Sequence, residues 1–145
     1  MYRLRYFYVQ DSWQQEVRGE YKTIESRAKA KLAFKLADNR KAEDLVILDM
    51  RKLSNFCDYF VIVSGNSDTQ VEAIADAVRE GFLEKSIRAV TSSGRRSGSW
   101  VLLDYGDVVI HVFEKSLRDY YNLDKLWLDA PKVKPPKSEK PVKRK

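Results

Sequence analysis

Residues 100–130 read WVLLDYGDVVIHVFEKSLRDYYNLDKLWLDA, two apolar strands parted by a tight turn and followed by an aromatic helical pattern. With Tyr105 and Gly106 as a two-residue turn, Gly106 supplies the positive φ that such turns require, and Trp100 lies opposite His111, Leu102 opposite Val109 and Asp104 opposite Asp107. Strand alternation then makes one face wholly apolar: Val101, Leu103, Val108, Ile110 and Val112. The other is mixed, with Trp100, Leu102, Asp104, Asp107, Val109, His111 and Phe113. Two of the chain's three Trp, three of its eight Tyr and one of its six Phe fall in this fifth of the residues. The segment is therefore either core or a surface built for a partner.

Working outward, Leu45–Met50 (LVILDM) and Asp58–Ser64 (DYFVIVS) are short, β-branched, nearly continuous apolar runs, the pattern of central strands covered on both faces. Ser67 to Gln70 reads as a capping box, and Val71, Ile74, Ala75, Val78 and Phe82 follow at helical spacing. An earlier helix starts near Ser26, with Ala28, Leu32, Ala33, Leu36 and Ala37 on one face and a stop at Asn39. Ile87–Thr91 is a candidate short strand, and Thr91–Ser99 (TSSGRRSGS) a doubly basic loop. The order of elements predicts a single α/β domain with a mixed sheet of about five strands flanked by helices. Residues 1–25 form an N-terminal extension that periodicity does not place, and 131–145 a tail.

Charge argues against a globular nucleic-acid binder. The net charge is +6, yet the tail alone carries Lys132, Lys134, Lys137, Lys140, Lys143, Arg144 and Lys145 against Glu139. Removing its seven cations from 27 and its one acid from 21 leaves 20 of each in residues 1–131, so the folded part has no net field to steer it onto phosphates. All four prolines also follow Ala130, and a Lys-Pro segment poor in apolar groups cannot offset the entropy of ordering. The expectation is disorder over 131–145. One cysteine, Cys57, excludes an internal disulfide framework and a cysteine-rich zinc site. No apolar run reaches the roughly 18 residues of a membrane span, and no secretory leader is legible at the N-terminus. The expected compartment is the cytoplasm.

Two carboxylates and an imidazole on one sheet face suit a divalent metal in a hydrolase or nucleotidyltransferase, with Asp104, Asp107 and His111 as ligands. Against this, nucleotidyl transfer uses carboxylates one residue apart and a glycine-serine phosphate turn. Here the carboxylates stand three apart and Ser64-Gly65 is followed by Asp68, which repels phosphate. Acyl chemistry lacks a base, because His111 sits mid-strand between Ile110 and Val112, the place of a half-buried, satisfied side chain. Arg95, Arg96 and the Lys-rich tail could contact RNA phosphates as an assembly accessory. No cofactor is expected. Tyr120, Tyr121, Leu123, Leu126 and Trp127 lie at helical spacing and read as core with a protein-binding face as the alternative.

The blocks WVLLDYGDVVIHVF and RDYYNLDKLWLDA, together with DYFVIVSGNSDTQVEAIAD at 58–76, strongly resemble the ribosomal silencing factor, or Iojap-like, family over residues 26–130. The resemblance implies a nucleotidyltransferase-like fold without catalytic carboxylates. It implies a non-enzymatic protein that binds large-subunit ribosomal protein L-fourteen, blocks subunit joining, represses translation and self-associates as a dimer. The contact positions it implies are Trp100, Asp104, Gly106, Asp107, His111, Arg118, Tyr121 and Trp127. Two departures from the family pattern stand out. Leu117 occupies the place of a glutamate before Arg118, leaving Glu114 as a substitute partner, and Arg95 and Arg96 invert the sign of a loop that is usually acidic.

Overall fold

The computed structural model describes residues 25–94, 99–122, 125 and 128–136, without the side chains of 91–94 and 121. The N-terminal extension before 25, Arg95, Arg96, Trp127 and the tail beyond 136 lie outside the described residues. The elements run α1 (Ser26–Asp38), β1 (Glu43–Asp49), β2 (Tyr59–Gly65), α2 (Asp68–Leu83), β3 (Thr91–Gly94), β4 (Trp100–Asp104), β5 (Val108–Glu114) and α3 (Lys115–Tyr121). This is a mixed α/β domain. Its sheet is ordered β1-β2-β5-β4-β3, with four strands forming the body and the four-residue β3 hydrogen-bonded along the outer side of β4. Only β2 and β5 run parallel; the connection between them holds α2, β3 and β4, long enough for the crossover a parallel pair requires.

The helices form where apolar spacing and end signals agree. In α2 the Ser67 hydroxyl accepts from the Gln70 amide at 3.1 Å, and the Gln70 side-chain oxygen accepts from the Asn66 amide at 2.6 Å. The reciprocal cap thus closes one residue earlier than the usual box. The free Gln70 amide donates to the Arg40 and Lys41 carbonyls at 3.2 and 3.1 Å, tying the helix start to the turn before β1. Val71, Ile74, Ala75, Val78 and Phe82 are all buried. In α1 the buried set is Ala30, Ala33 and Ala37, with Ala28 exposed, so the buried stripe starts two residues later than expected, at Ala30. The two helices approach closely because Gly81 faces Leu36: a Cβ at Gly81 would sit 2.5 Å from a Leu36 methyl.

Both helices cover one sheet face, packing on Ile47, Tyr59, Val61, Val63, Val101, Leu103, Val108, Ile110 and Val112. The inward face expected for the hairpin is therefore the main core. Complete burial of a Val or Ile side chain stabilises by about 1.5–3 kcal/mol, and this layer accounts for most of the fold's hydrophobic gain.

Four expectations are corrected. First, the hairpin turns at Gly106-Asp107 instead of Tyr105-Gly106. Trp100 pairs with Phe113, Leu102 with His111 and Asp104 with Val109, and the Tyr105 amide bonds the Val108 carbonyl at 2.9 Å. The cause is Tyr105, which continues the inward alternation of Val101 and Leu103, is 2% exposed and packs its ring 4.3 Å from that of Phe82. Gly106 keeps the positive φ, at 90°, now in the first turn position where type II′ geometry wants it, and its amide donates to the Asp104 carboxylate at 2.8 Å. The slip amounts to two residues, so the paired side chains of both strands stay on their expected faces, while Asp107 moves into the turn.

Second, the strand near residue 90 is Thr91–Gly94, inside the segment expected to be a loop, because β4 offers it an unpaired edge. Third, β1 is not central but lies at the sheet's edge. A bulge between Glu43 and Val46, with Asp44 at φ 48°, bends its start. Fourth, the chain beyond Ala130 does not leave the fold at once. The Asp49 amide donates to the Pro131 carbonyl at 2.8 Å, the Val133 amide to the Ile47 carbonyl at 2.9 Å, and Lys132 bridges Leu48. Proline in this strap costs nothing, since its carbonyl is the bonding group and its missing N–H is not called upon.

Candidate functional site

The second sheet face is the one the two long helices leave uncovered. Strand registers arrange it in three cross-strand rows: Asp104, Val109, Phe60 and Leu48; then Leu102, His111, Ile62 and Val46; then Trp100, Phe113 and Ser64. Leu117 of α3 and Ala130 close one part of it, over a small cluster of Leu48, Met50, Cys57, Ile62 and Phe113. Val46, Phe60, Trp100, Leu102, Asp104 and Val109 remain only half-buried. A largely apolar surface with one carboxylate at its margin is thus held on rigid strands.

Its aromatic groups are ordered against one another. The Trp100 and Phe113 rings are stacked at 5.7 Å, His111 and Phe113 at 6.0 Å, and Phe60 tilts over His111 at 4.8 Å. Such offset pairs contribute about 0.5–1.5 kcal/mol beyond their buried area and fix ring positions. Phe60, Ile62 and Val46 were not among the sequence candidates. Alternation within Asp58–Ser64 marks Phe60, Ile62 and Ser64 as one side of a strand, but only the β2–β5 register shows that this side joins Trp100 and His111.

His111 is 6% exposed, and neither ring nitrogen has a hydrogen-bond partner among the described residues. It is not the satisfied half-buried side chain expected from its place in the strand. Burial pushes its pKa down to about 4 from 6.5, so the ring is neutral at pH 7. The unfolded chain then binds a proton between pH 6.5 and 4 that the folded chain does not, and stability falls as pH drops through that window, by on the order of 2–3 kcal/mol. His111→Phe is expected to flatten this part of the urea-midpoint profile and to raise stability at pH 7 by about 1 kcal/mol, since two unsatisfied polar atoms leave the interior. An unchanged slope between pH 6.5 and 4 would contradict it.

The remaining candidates separate. Asp107 is not on the open face opposite Asp104: its carboxylate meets the Lys29 ammonium of α1 at 2.8 Å, with the two side chains 16% and 12% exposed. Its carbonyl accepts from the Asp58 and Tyr59 amides at 2.7 and 3.1 Å. Asp107 thus fastens the turn to α1 and to the start of β2. Arg118 is 7% exposed and donates to the Asp44 carbonyl and to the Ser64 hydroxyl, the latter at 2.9 Å. Glu114 instead caps α3, accepting from the Ser116 amide at 3.0 Å, while Leu117 fills the small cluster. Helix α3 stops at Tyr121 because Asn122 takes the left-handed conformation, φ 45°, and bonds back to the Arg118 carbonyl. The aromatic pattern of residues 120–127 is therefore not one continuous helix, and Tyr120 is 78% exposed rather than core. The Tyr121 side chain, Leu123, Leu126 and Trp127 lie outside the described residues.

As a metal centre the arrangement does not assemble. Asp104 binds its own turn, Asp107 is paired with Lys29 and His111 is sealed under Phe60, and no cluster of three such side chains exists among the described residues. No helix among the described residues is long and apolar enough to cross a membrane.

Residues 23–145 match the family model described as "Ribosomal silencing factor during starvation". The chain belongs to the ribosomal silencing factor family. It is 48% identical over 101 residues to the ribosomal silencing factor of Bacillus subtilis, an alignment spanning 70% of this chain and 86% of that one. A solved structure from Chromobacterium violaceum, 33% identical, superposes with a TM-score of 0.70 over 83% of this chain and 98% of that one. A second, from Bacillus halodurans and 42% identical, gives 0.66 over 74% and 98%. The family assignment therefore rests on the sequence matches, and the mixed α/β fold is shared with the two solved structures.

Proposed function

We propose that this protein is a ribosomal silencing factor: a non-enzymatic, cytoplasmic repressor of translation that binds the large subunit through ribosomal protein L-fourteen and sterically blocks subunit association. The observation that carries the reading is the open sheet face. It is half-buried and apolar, set with ordered aromatics, edged by Asp104, and covered by neither long helix. Such a surface suits a rigid protein partner of basic character better than it suits an RNA backbone, which would ask for cations. Trp100, Leu102, Phe60 and Val109 are its contact centre and Asp104 its charged margin. His111 and Phe113 support them from beneath, while Tyr121 and Trp127 stay contact candidates on the family resemblance alone.

Gly106, Asp107 and Arg118, first expected in the contact set, act by shaping and fastening the elements that present the face. Residues 26–130 form the acting unit, with a nucleotidyltransferase-like arrangement that has lost its catalytic carboxylates. Arg95, Arg96 and the Lys-rich tail add contacts to ribosomal RNA, and the chain self-associates as a dimer. Sedimentation of purified subunits tests the central claim. Saturating protein is expected to reduce joined ribosomes strongly and to travel with the large subunit; undiminished joining would refute it.

A further inference from the structure

A second surface, bordering the open face at Val46 and Ser64, has a different chemistry. A cleft of about 590 Å3 lies between the start of β1, the end of β2 and helix α3. It sits at the carboxyl end of β2, where the following chain and the helix after its parallel neighbour β5 diverge, the place where α/β sheets bind ligands. Its size falls in the range of small-molecule sites.

Charge is concentrated there. Lys115, Arg118, Lys125 and Lys132 line the cleft against Asp44 and Asp119, in a chain whose body otherwise balances its charges. The floor is pre-set: Arg118 is buried, and its guanidinium is fixed by the Ser64 hydroxyl and the Asp44 carbonyl. Two residues of the wall, Asp44 and Asn122, hold left-handed backbone, φ 48° and 45°, a conformation that non-glycine residues adopt at a cost and that clusters at functional sites. Lys125 and Lys132 are exposed, and Lys115 is half-exposed and paired with Glu43 at 3.2 Å, so three surface ammonium groups surround one fixed guanidinium. That combination grips an anion with several charged oxygens: the fixed fork orients one group while flexible ammonium groups follow the rest.

From this geometry we infer that the cleft binds a small polyphosphate anion, of the class of a nucleoside di- or triphosphate, held by Arg118, Lys115, Lys125 and Lys132. The cleft meets the open face at Val46 and Ser64 and opens beside α3 and β1, away from the β4–β5 centre of that face. Ser64-Gly65 contributes by fixing Arg118, not by forming a phosphate loop of its own.

Calorimetric titration of the full chain with inorganic tripolyphosphate, a nucleoside triphosphate and a short RNA duplex, at low salt, tests the inference. Tripolyphosphate and the nucleotide are expected to bind with one site per chain. Lys115→Gln combined with Lys125→Gln, both surface changes, should weaken them about tenfold or more, with an unaltered thermal midpoint. Substituting glutamine at Lys140, Lys143, Arg144 and Lys145 should change affinity less than twofold. Absence of heat with both polyphosphates, binding of the duplex alone, or loss of binding on the tail substitutions but not on the cleft pair would each overturn it.

Discussion

Trp100→Ala is expected to weaken binding to isolated large ribosomal subunits by roughly 30-fold or more, equivalent to about 2 kcal/mol, the range of a desolvated tryptophan at the centre of an interface. Trp100 is half-buried, its ring lies 5.7 Å from Phe113 in a stacked pair, and it ends one of the three rows of the open face. Truncation removes contact area and also frees Phe113 to move. Part of the loss could arise from a less stable fold, so the comparison is with Trp100→Phe. That change keeps a stacked ring and should retain most of the stability while losing a large part of the affinity. Equal affinity of the wild-type and alanine proteins in a co-sedimentation titration would remove Trp100, and with it the open face, from the interface.

Arg118→Ala acts elsewhere, and its expected effect is on the fold: a loss of about 4 kcal/mol from the urea-extrapolated stability. Three contributions add. The buried aliphatic stem of Arg118 leaves a cavity, the Ser64 hydroxyl loses a charged donor, and the Asp44 carbonyl in the bulged start of β1 loses another. Each lost charge-assisted bond costs about 1.5–3 kcal/mol, and partial entry of water reduces the sum. Arg118→Lys should recover only part, because both acceptors are met by Nη1 at the far end of the guanidinium, and the shorter lysine side chain carries its ammonium less far. A loss below about 1 kcal/mol for the alanine variant would mean that α3 is not held to β1 and β2 through this side chain. Both experiments need the same control, a chemical denaturation curve for each variant, since loss of binding in a protein that no longer folds says nothing of the interface.

What the sequence disclosed followed the range of the interactions involved. Helix α2 was legible almost to the residue because its cap and its buried positions Val71, Ile74, Ala75, Val78 and Phe82 are local. The two hairpin faces were legible because strand alternation survives a two-residue change of register. The turn position was not, since it depends on Tyr105 meeting Phe82 from a different element. The separation of Asp104 from Asp107 follows from the same shift together with Lys29, 78 residues away in the chain. The strand at Thr91–Gly94 escaped because its residues, TSSG, carry no apolar alternation and are strand only by pairing with β4.

The family was legible through the resemblance of the sequence blocks, and the physical basis of the candidate site only in part. Trp100, Asp104 and His111 do lie on one face, but Phe60, Ile62 and Val46 join it through registers that no single segment encodes. Arg118 was singled out, yet its role as a buried fastener could not be read without knowing that β1 bulges at Asp44 to present a carbonyl. The basic cleft was hidden for the same reason: Lys115, Lys125 and Lys132 are unremarkable in sequence and become a cluster only when the strap returns along β1.

That strap also has a consequence for the order in which the molecule is made. Residues 131–133 supply the outer neighbour of β1, so the first of the described strands is completed by residues that follow every other described element. While a nascent chain emerges from N- to C-terminus, β1 must wait, its outer amides and carbonyls open to any passing strand. Closure of the sheet edge, and with it assembly of the cationic wall that includes Lys132, therefore follows synthesis of all the described helices and strands.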